Sequence, residues 1–151
     1  MMANSLIYEK DVIDAVRDYL EERGFDITQQ LSVNERGDDL VAELKSDRSK
    51  KIVIEAKGGS SSRTTSNRFG KPFTMSQVRD HVAMALFKAC EVLTRRGAAD
   101  SIQAGIALPD NPNHRRIVER IGNAIRELGI LVFWVSGSRE VRIWPEDWDW
   151  M

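Results

Sequence analysis

The stretch KIVIEAKGG, residues 51–59, begins as a buried β-strand and ends with an acid, a base and two glycines. Side chains alternate between the two faces of a strand, so Glu55 and Lys57 point to the same face. The residues just before Glu55 are apolar on both faces, which predicts a central strand covered on two sides. An acid or a lysine is rarely buried there without a partner or a function. This strand end is therefore the first candidate for a functional site.

The composition is that of an ordinary globular protein. The chain has 151 residues, of which 42% are hydrophobic, enough to bury a core without disulfides or metals. We predict one domain over residues 1–151, because no long linker or internal repeat divides the sequence. No run of about 18 apolar residues occurs and the N-terminus lacks a secretory signal, which predicts a cytoplasmic protein without a membrane span. The single cysteine excludes an internal disulfide and a cysteine-based zinc site.

Charge is distributed unevenly along the sequence. The net charge of −1 argues against a protein that coats nucleic acid through bulk electrostatics. Residues 1–47 carry 5 positive and 12 negative side chains, whereas residues 48–71 carry 7 positive and 1 negative. Arg63, Arg68 and Lys71 belong to a segment rich in Gly, Ser and Thr, which predicts a long basic loop after the strand. Such a loop is either simply solvated or a contact for phosphates, and composition leaves both open.

Apolar periodicity predicts the element order αβββαβαββ. The predicted helices cover about residues 6–23, 76–96 and 112–128. The predicted strands cover about residues 25–33, 39–44, 51–57, 101–108, 130–135 and 140–144, with a polar turn at SDRSK, residues 46–50. An antiparallel meander that continues through helical crossovers predicts an α/β fold with a mixed central sheet and helices on both faces.

The hairpin between the second and third strands is expected to bring another acid towards Glu55. Asp39 precedes the apolar part of its strand, and an antiparallel partner would lay it beside Glu55. Two converging carboxylates suit Mg²⁺, which prefers oxygen ligands in a shell that leaves room for water and phosphate. Lys57 could position or deprotonate the attacking water, or stabilise charge on the phosphate oxygens. These residue types favour metal-assisted phosphodiester hydrolysis.

A second Glu-x-Lys pattern and a helical glutamate bear on this hypothesis. Residues 43–45 also read Glu-Leu-Lys, but they lie at the polar end of their strand, where exposed charges need no explanation. On the first predicted helix, Glu9 falls on the apolar stripe at a spacing of 3.6 residues per turn. Glu9 is therefore either an exposed first-turn acid favoured by the helix dipole, or a third carboxylate facing Asp39 and Glu55.

These segments resemble the core of the PD-(D/E)XK, or restriction-endonuclease-like, nuclease superfamily. The resemblance rests on a helix with a glutamate, RGDDLVAE at residues 36–43, IVIEAKG at residues 52–58, and a following helix with a glutamine. It covers roughly residues 6–108. It implies a restriction-endonuclease-like αβββαβ core, a mixed central sheet flanked by helices, and a C-terminal αββ extension.

The resemblance also implies roles for the residues at the strand end. Asp39 and Glu55 would bind Mg²⁺ or Mn²⁺, with the Ala56 carbonyl as a further ligand. Lys57 would be catalytic, and Glu9 would support the metal site, as a glutamate of the first helix does in resolvase-like members of the superfamily.

Three further positions have two interpretations each. Gln77 and His81 lie where members of the superfamily carry a glutamine and an aromatic or polar partner near the site, but they also fit the exposed flank of an amphipathic helix. Asp38 stands where the superfamily name has proline, and it could replace Asp39 as the metal ligand. Strand alternation favours Asp39, because Leu40 then faces the core.

The residues and the resemblance together predict an Mg²⁺-dependent DNA endonuclease of a restriction, repair or mobile-element system. Arg63, Arg68 and Lys71 would position DNA through its phosphates without reading its sequence. A chain of this size has little surface for base readout, so a homodimer or an accessory subunit is a reasonable expectation. The alternative is a non-catalytic nucleic-acid or protein interaction module that retains the nuclease fold. An inactive descendant should lose part of the acid and lysine set, and here all of it is present.

Overall fold

The computed structural model describes residues 7–32, 36–60, 71–96 and 101–150. Its helices are α1 (Glu9–Glu22), α2 (Met75–Arg96), α3 (Pro112–Glu119) and α4 (Gly122–Glu127). Its strands are β1 (Phe25–Gln30), β2 (Leu40–Leu44), β3 (Asp47–Ala56), β4 (Ile102–Pro109), β5 (Leu131–Val135) and β6 (Val141–Trp144). The order along the chain matches the predicted one, except that the third predicted helix is divided in two.

The strands form one mixed sheet in the order β1-β2-β3-β4-β5-β6. The first three strands are an antiparallel meander, β3, β4 and β5 run parallel, and β6 is antiparallel to β5. β3 lies inside the sheet, and its Ile52, Ile54 and Ala56 are buried. The predicted fold class, a mixed α/β sheet flanked by helices, is confirmed.

Helices cover both faces of the sheet because apolar side chains line both. Val12 and Leu20 of α1 pack in one core with Ile52 and Ile54 of β3. Val82 of α2 packs in a second core on the opposite face, together with apolar residues of β4, β5, α3 and α4. In the described ranges, no helix is long and apolar enough to cross a membrane.

The prediction of one continuous helix over residues 112–128 is wrong. The amides of Arg120 and Ile121 donate to the carbonyls of Ile117 and Val118, three residues back, at 3.2 and 3.0 Å. This tightens the last turn of α3, and Ile121 then takes φ −127° and ψ 13°, outside the helical region. The chain resumes a helix at Gly122 as α4.

The prediction of a polar turn over SDRSK is also wrong, because β3 begins at Asp47. Charged side chains of this segment pair with acids on β1 and β2. Arg48 Nη1 lies 2.6 Å from Asp26 Oδ2, and Lys51 Nζ lies 3.6 Å from Glu43 Oε2. Cross-strand pairs of opposite charge support a strand that its composition alone would assign to a turn.

Candidate active site

The β2–β3 hairpin positions Asp39 beside Glu55. Leu40 pairs with Ile54, so Asp39, the residue before β2, lies beside Glu55 near the end of β3. Asp39 is 8% exposed, and its Oδ2 accepts a hydrogen bond of 2.8 Å from the Ala56 amide. The Asp39 and Glu55 side chains lie close enough for each to shift the pKa of the other. The predicted convergence of two carboxylates is therefore present in the fold.

Lys57 lies in direct contact with this carboxylate pair. Its Nζ is 3.5 Å from Glu55 Oε2, and the two side chains are 15% and 13% exposed. The Lys57 amide donates to the Ala107 carbonyl at 3.0 Å, which extends the pairing of β3 with β4 by one residue. The sheet therefore fixes the backbone of Lys57, and the contact with Glu55 places its ammonium beside the acids.

Glu9 reaches the site because the chain after β3 runs against the start of α1. A Cβ at Gly58 would lie 2.4 Å from the Glu9 nitrogen, so only glycine allows this approach. The Gly59 amide donates to the Ile7 carbonyl at 2.7 Å and fixes the contact. Glu9 is half-buried, and it interacts electrostatically with Asp39 and Lys57. Of its two interpretations, the fold matches the third carboxylate facing the pair.

The three acids are largely buried and close together, and their pKa values are raised. Burial, together with the negative charge of Asp39, raises the pKa of Glu9 to about 7, although Lys57 opposes the change. Burial and Asp39 likewise raise the pKa of Glu55 to about 7. Burial also raises the pKa of Asp39, against the hydrogen bond from the Ala56 amide. Near neutral pH Glu9 and Glu55 are therefore each partly protonated.

The donor set fits a hard divalent cation. Among the residues that the structure describes, no three His, Cys, Asp or Glu side chains form a ready-made metal cage. Asp39 and Glu55 nevertheless supply adjacent carboxylate oxygens, and Glu9 adds negative charge nearby. Mg²⁺ commonly takes one or two carboxylates and fills its other positions with water and phosphate oxygens. A cation there would also offset the cost of burying these carboxylates and the repulsion by Asp39, which together raise the pKa values of Glu9 and Glu55.

Asp38 lies apart from the acid pair. Its Oδ1 is 3.2 Å from Arg95 Nη2, near the C-terminal end of α2. The neighbouring Asp39 instead turns towards Ala56 and Glu55. The geometry thus agrees with the alternation that favoured Asp39 over Asp38.

Gln77 takes part in capping α2. The Thr74 amide donates to Gln77 Oε1 at 2.9 Å, and the Gln77 amide donates to Thr74 Oγ1 at 3.3 Å. This reciprocal pair is a capping box, which satisfies backbone amides at the start of a helix. The Gln77 side chain is therefore engaged in the helix end, and among the described residues no hydrogen bond joins it to Asp39, Glu55 or Lys57.

His81 borders the site from α2. Its ring packs edge-on against Phe73 with 4.4 Å between centroids, and its buried Nδ1 has no hydrogen-bond partner in the described part of the chain. Burial and the nearby positive charge of Lys57 lower its pKa. His81 is thus a neutral imidazole at neutral pH, next to the lysine.

Two other positively chargeable residues lie near the site, and the sequence motifs did not single them out. Lys88 of α2 is exposed, and its charge lowers the pKa of both Asp39 and Glu55. Its spacing from His81, seven residues, places both on one side of the helix and was the available signal. His114 of α3 gave no such signal, because its burial depends on how α3 packs against α2.

His114 predicts acid sensitivity of the fold. It is 1% exposed, and burial lowers its pKa from 6.5 to about 4. Unfolded protein takes up this proton below pH 6.5, whereas the folded protein does so only near pH 4. The free energy of unfolding should therefore fall by about 3 kcal/mol as the pH drops from 6.5 to 4. Urea denaturation across this pH range should show a smaller fall in the free energy of unfolding for His114→Leu than for the wild type. An equal fall in both proteins would contradict this role of His114.

Only part of the predicted basic loop belongs to the described residues. Arg63 and Arg68 lie outside the described residues. Lys71 is exposed, and its carbonyl accepts a hydrogen bond from the Ser60 hydroxyl. The Phe73 amide donates to the Gly59 carbonyl at 3.1 Å. These two hydrogen bonds hold the chain around Lys71 against Gly59 and Ser60, just after the end of β3.

The solved structure of an XisH family protein from Nostoc punctiforme is similar to this chain. The two share 17% sequence identity with a TM-score of 0.50, over 89% of this chain and 95% of that chain. No protein-family model matches the chain, and no curated protein matches it in sequence. The likeness therefore supports the mixed α/β fold, while the function depends on what the residues at the end of β3 can do.

Proposed function

We propose that this protein is a metal-dependent DNA endonuclease of the PD-(D/E)XK type. The observation that carries the proposal is the convergence of Glu9, Asp39, Glu55 and Lys57 from α1, the start of β2 and the end of β3. Largely buried acids with raised pKa values beside a lysine lower the stability of the fold. Such clusters are concentrated at functional sites.

The residues divide into two roles. Asp39 and Glu55 would hold Mg²⁺ or Mn²⁺, with the Ala56 carbonyl as a further ligand and Glu9 as supporting charge. When bound, the ion supplies Lewis-acid stabilisation of the phosphate and makes water more acidic. Lys57 holds its ammonium beside Glu55, where it orients the attacking water or offsets charge building on the phosphate oxygens.

DNA is the substrate class that the surrounding charges support. Residues 48–71 carry 7 positive and 1 negative side chain, and four of the seven, Lys57, Arg63, Arg68 and Lys71, follow Glu55 in the sequence. Positive side chains around an acidic centre hold phosphates in place and leave the ion to act on one of them.

Cleavage assays test the proposal. Wild-type protein should cut plasmid or single-stranded circular DNA with Mg²⁺ or Mn²⁺ and should stop when the ion is chelated. Asp39→Asn should be slower by on the order of 100-fold or more, because it weakens the charge that holds the ion. Asp38→Asn is the matched control and should keep most of the activity, since Asp38 pairs with Arg95.

Two results would contradict the proposal. Wild-type protein that leaves every DNA form intact with both ions would favour the non-catalytic interaction module. Equal cleavage by wild type and Asp39→Asn would place the chemistry elsewhere.

A further inference from the structure

The carboxyl end of the parallel strands carries three arginines. Arg115 of α3 and Arg142 of β6 both contact Asp110, the residue that follows β4, and Arg139 lies in the turn between β5 and β6. We call Arg115, Arg139 and Arg142 the arginine rim. Because β3, β4 and β5 run parallel and β6 begins beside the end of β5, the rim lies at the same edge of the sheet as the end of β3. This is the edge at which ligands bind in sheets with parallel strands.

Direct contacts connect Asp110 to the end of β3. The Lys57 amide donates to the Ala107 carbonyl of β4 at 3.0 Å. Further along both chains, a Cβ at Gly59 would lie 3.6 Å from Pro109 Cγ, and Asp110 is the next residue after Pro109. Asp110 and the two arginines that contact it therefore lie one strand away from the candidate active site.

Arg139 approaches the same site from the side of α1. Its Nη2 lies 2.5 Å from Oδ1 of Asp11, which belongs with Glu9 to the first turn of α1. Arg139 also takes φ 67°, a left-handed conformation that glycine adopts without strain and an arginine does not. Backbone strain of this kind is concentrated at functional positions. The turn thus holds a guanidinium beside the start of α1 at a cost in backbone conformation.

Asp110 holds two guanidiniums with one carboxylate. Arg115 Nη1 donates to Asp110 Oδ1, and Arg142 Nη2 lies 3.6 Å from Oδ2. The Asp110 amide donates to the Val135 carbonyl at 2.7 Å, which fixes this residue between β4 and β5. The arginine side chains are 43% and 50% exposed, so N–H donors on their outer sides reach solvent. Two positive charges on one carboxylate leave a positive charge for an external anion, and planar guanidiniums fit phosphate oxygens.

We propose that the arginine rim binds the DNA backbone beside the phosphate that is cut, along the ends of β4, β5 and β6. This inference rests on the proposed nuclease function and deepens it. β6 lies three strands from β3, which is about 14 Å at a strand spacing of about 4.8 Å. Cations spread over that distance suit a linear polyanion better than a single phosphate. Such contacts fix the position of DNA without reading its sequence.

Binding without metal tests the inference separately from cleavage. The measurement is fluorescence anisotropy in EDTA with two labelled DNA duplexes of unrelated sequence. Arg142→Ala should weaken binding by on the order of 5-fold, equally for both duplexes, and lower the slope of log K against log salt by about 0.9. Arg142→Lys should restore the salt slope but only part of the affinity, because it keeps the charge and loses the forked donors.

Arg139→Gly separates a role in binding from a role in the fold. It removes the guanidinium and at the same time relieves the strained φ. It should therefore weaken DNA binding by a similar factor without lowering the midpoint of urea unfolding. A lower midpoint together with unchanged DNA binding would make Arg139 a purely structural residue.

Two other arginines that pair with aspartates serve as matched controls. Arg48 pairs with Asp26 near the start of β3, and Arg126 pairs with Asp147 near the start of β5 and the end of β6. Their side chains are 54% and 57% exposed, similar to those of the rim, but they lie at the opposite edge of the sheet. Arg48→Ala and Arg126→Ala should bind DNA as the wild type does.

The outcomes separate this inference from the proposed function. Metal-dependent cleavage together with unchanged duplex binding by Arg142→Ala and Arg139→Gly overturns the rim and leaves the nuclease intact. Rim-dependent binding without cleavage supports the rim and overturns the nuclease. An equal loss of binding in Arg48→Ala and Arg126→Ala would show an effect of overall charge alone, and it would overturn the rim as a site. Wild-type protein that binds neither duplex overturns it as well.

Discussion

Lys57→Ala is expected to cut DNA on the order of 1000-fold more slowly than the wild type at saturating Mg²⁺. The Lys57 ammonium lies 3.5 Å from Glu55 Oε2 on a side chain that is only 15% exposed, so the substitution removes a positive charge in direct contact with the acid pair. The loss should fall mainly on the rate of the cleavage step, because under the proposed function Arg63, Arg68 and Lys71 would still hold the DNA. Single-turnover cleavage with protein in excess measures this step directly.

Two comparisons make the Lys57 result specific. Lys51→Ala removes an exposed lysine from the same strand, one that pairs with Glu43, and it should cut at nearly the wild-type rate. Lys57→Arg keeps the charge but not the shape of the ammonium, so only partial activity is expected. Wild-type rates in Lys57→Ala would exclude this residue from the chemistry.

Glu55→Gln is expected to stabilise the metal-free protein at pH 8. The pKa of Glu55 is raised from 4.5 to about 7, so the unfolded chain releases the proton at lower pH than the folded protein does. Stability from this group is full below pH 4.5 and is lost as the pH rises through 7. After allowance for solvent screening, glutamine should raise the free energy of unfolding at pH 8 by about 1–2 kcal/mol. Chemical denaturation in EDTA measures the difference.

The pH dependence supplies the control for this prediction. At pH 4 the wild type and Glu55→Gln should differ little, because the carboxyl is then protonated in both states. Glu43→Gln, on the neighbouring strand, should not stabilise, since Glu43 forms ion pairs with Arg48 and Lys51. Adding Mn²⁺ should stabilise the wild type and not Glu55→Gln. A destabilised Glu55→Gln at pH 8 would contradict the account of the cluster.

The pairing of Asp39 with Glu55 could be predicted from the sequence because it depends on local rules. Alternation along IVIEAK assigns Glu55 and Lys57 to one face, and a short hairpin leaves few registers that bury both strands. The observed pairing of Leu40 with Ile54 is the one these rules favour. The mixed sheet followed from the same alternation and from the order of the elements.

Other features depend on contacts that no local pattern contains. Glu9 reaches the acids because Gly58 lets the chain pass against the start of α1, at a distance that a Cβ would close to 2.4 Å. Gln77 forms a capping box with Thr74. The sequence pattern fits this role as well as it fits a role in the site. Lys88 becomes part of the site only through the packing of α2 across the sheet.

Calorimetric titration with Mn²⁺ at neutral pH tests most directly whether the acids at the end of β3 form a metal centre. The wild type should give a saturable binding isotherm. Asp39→Asn should give little or no heat, whereas Asp38→Asn should bind as the wild type does, because the Asp38 carboxylate pairs with Arg95. Absence of binding by the wild type, or identical isotherms for the wild type and Asp39→Asn, would contradict the account.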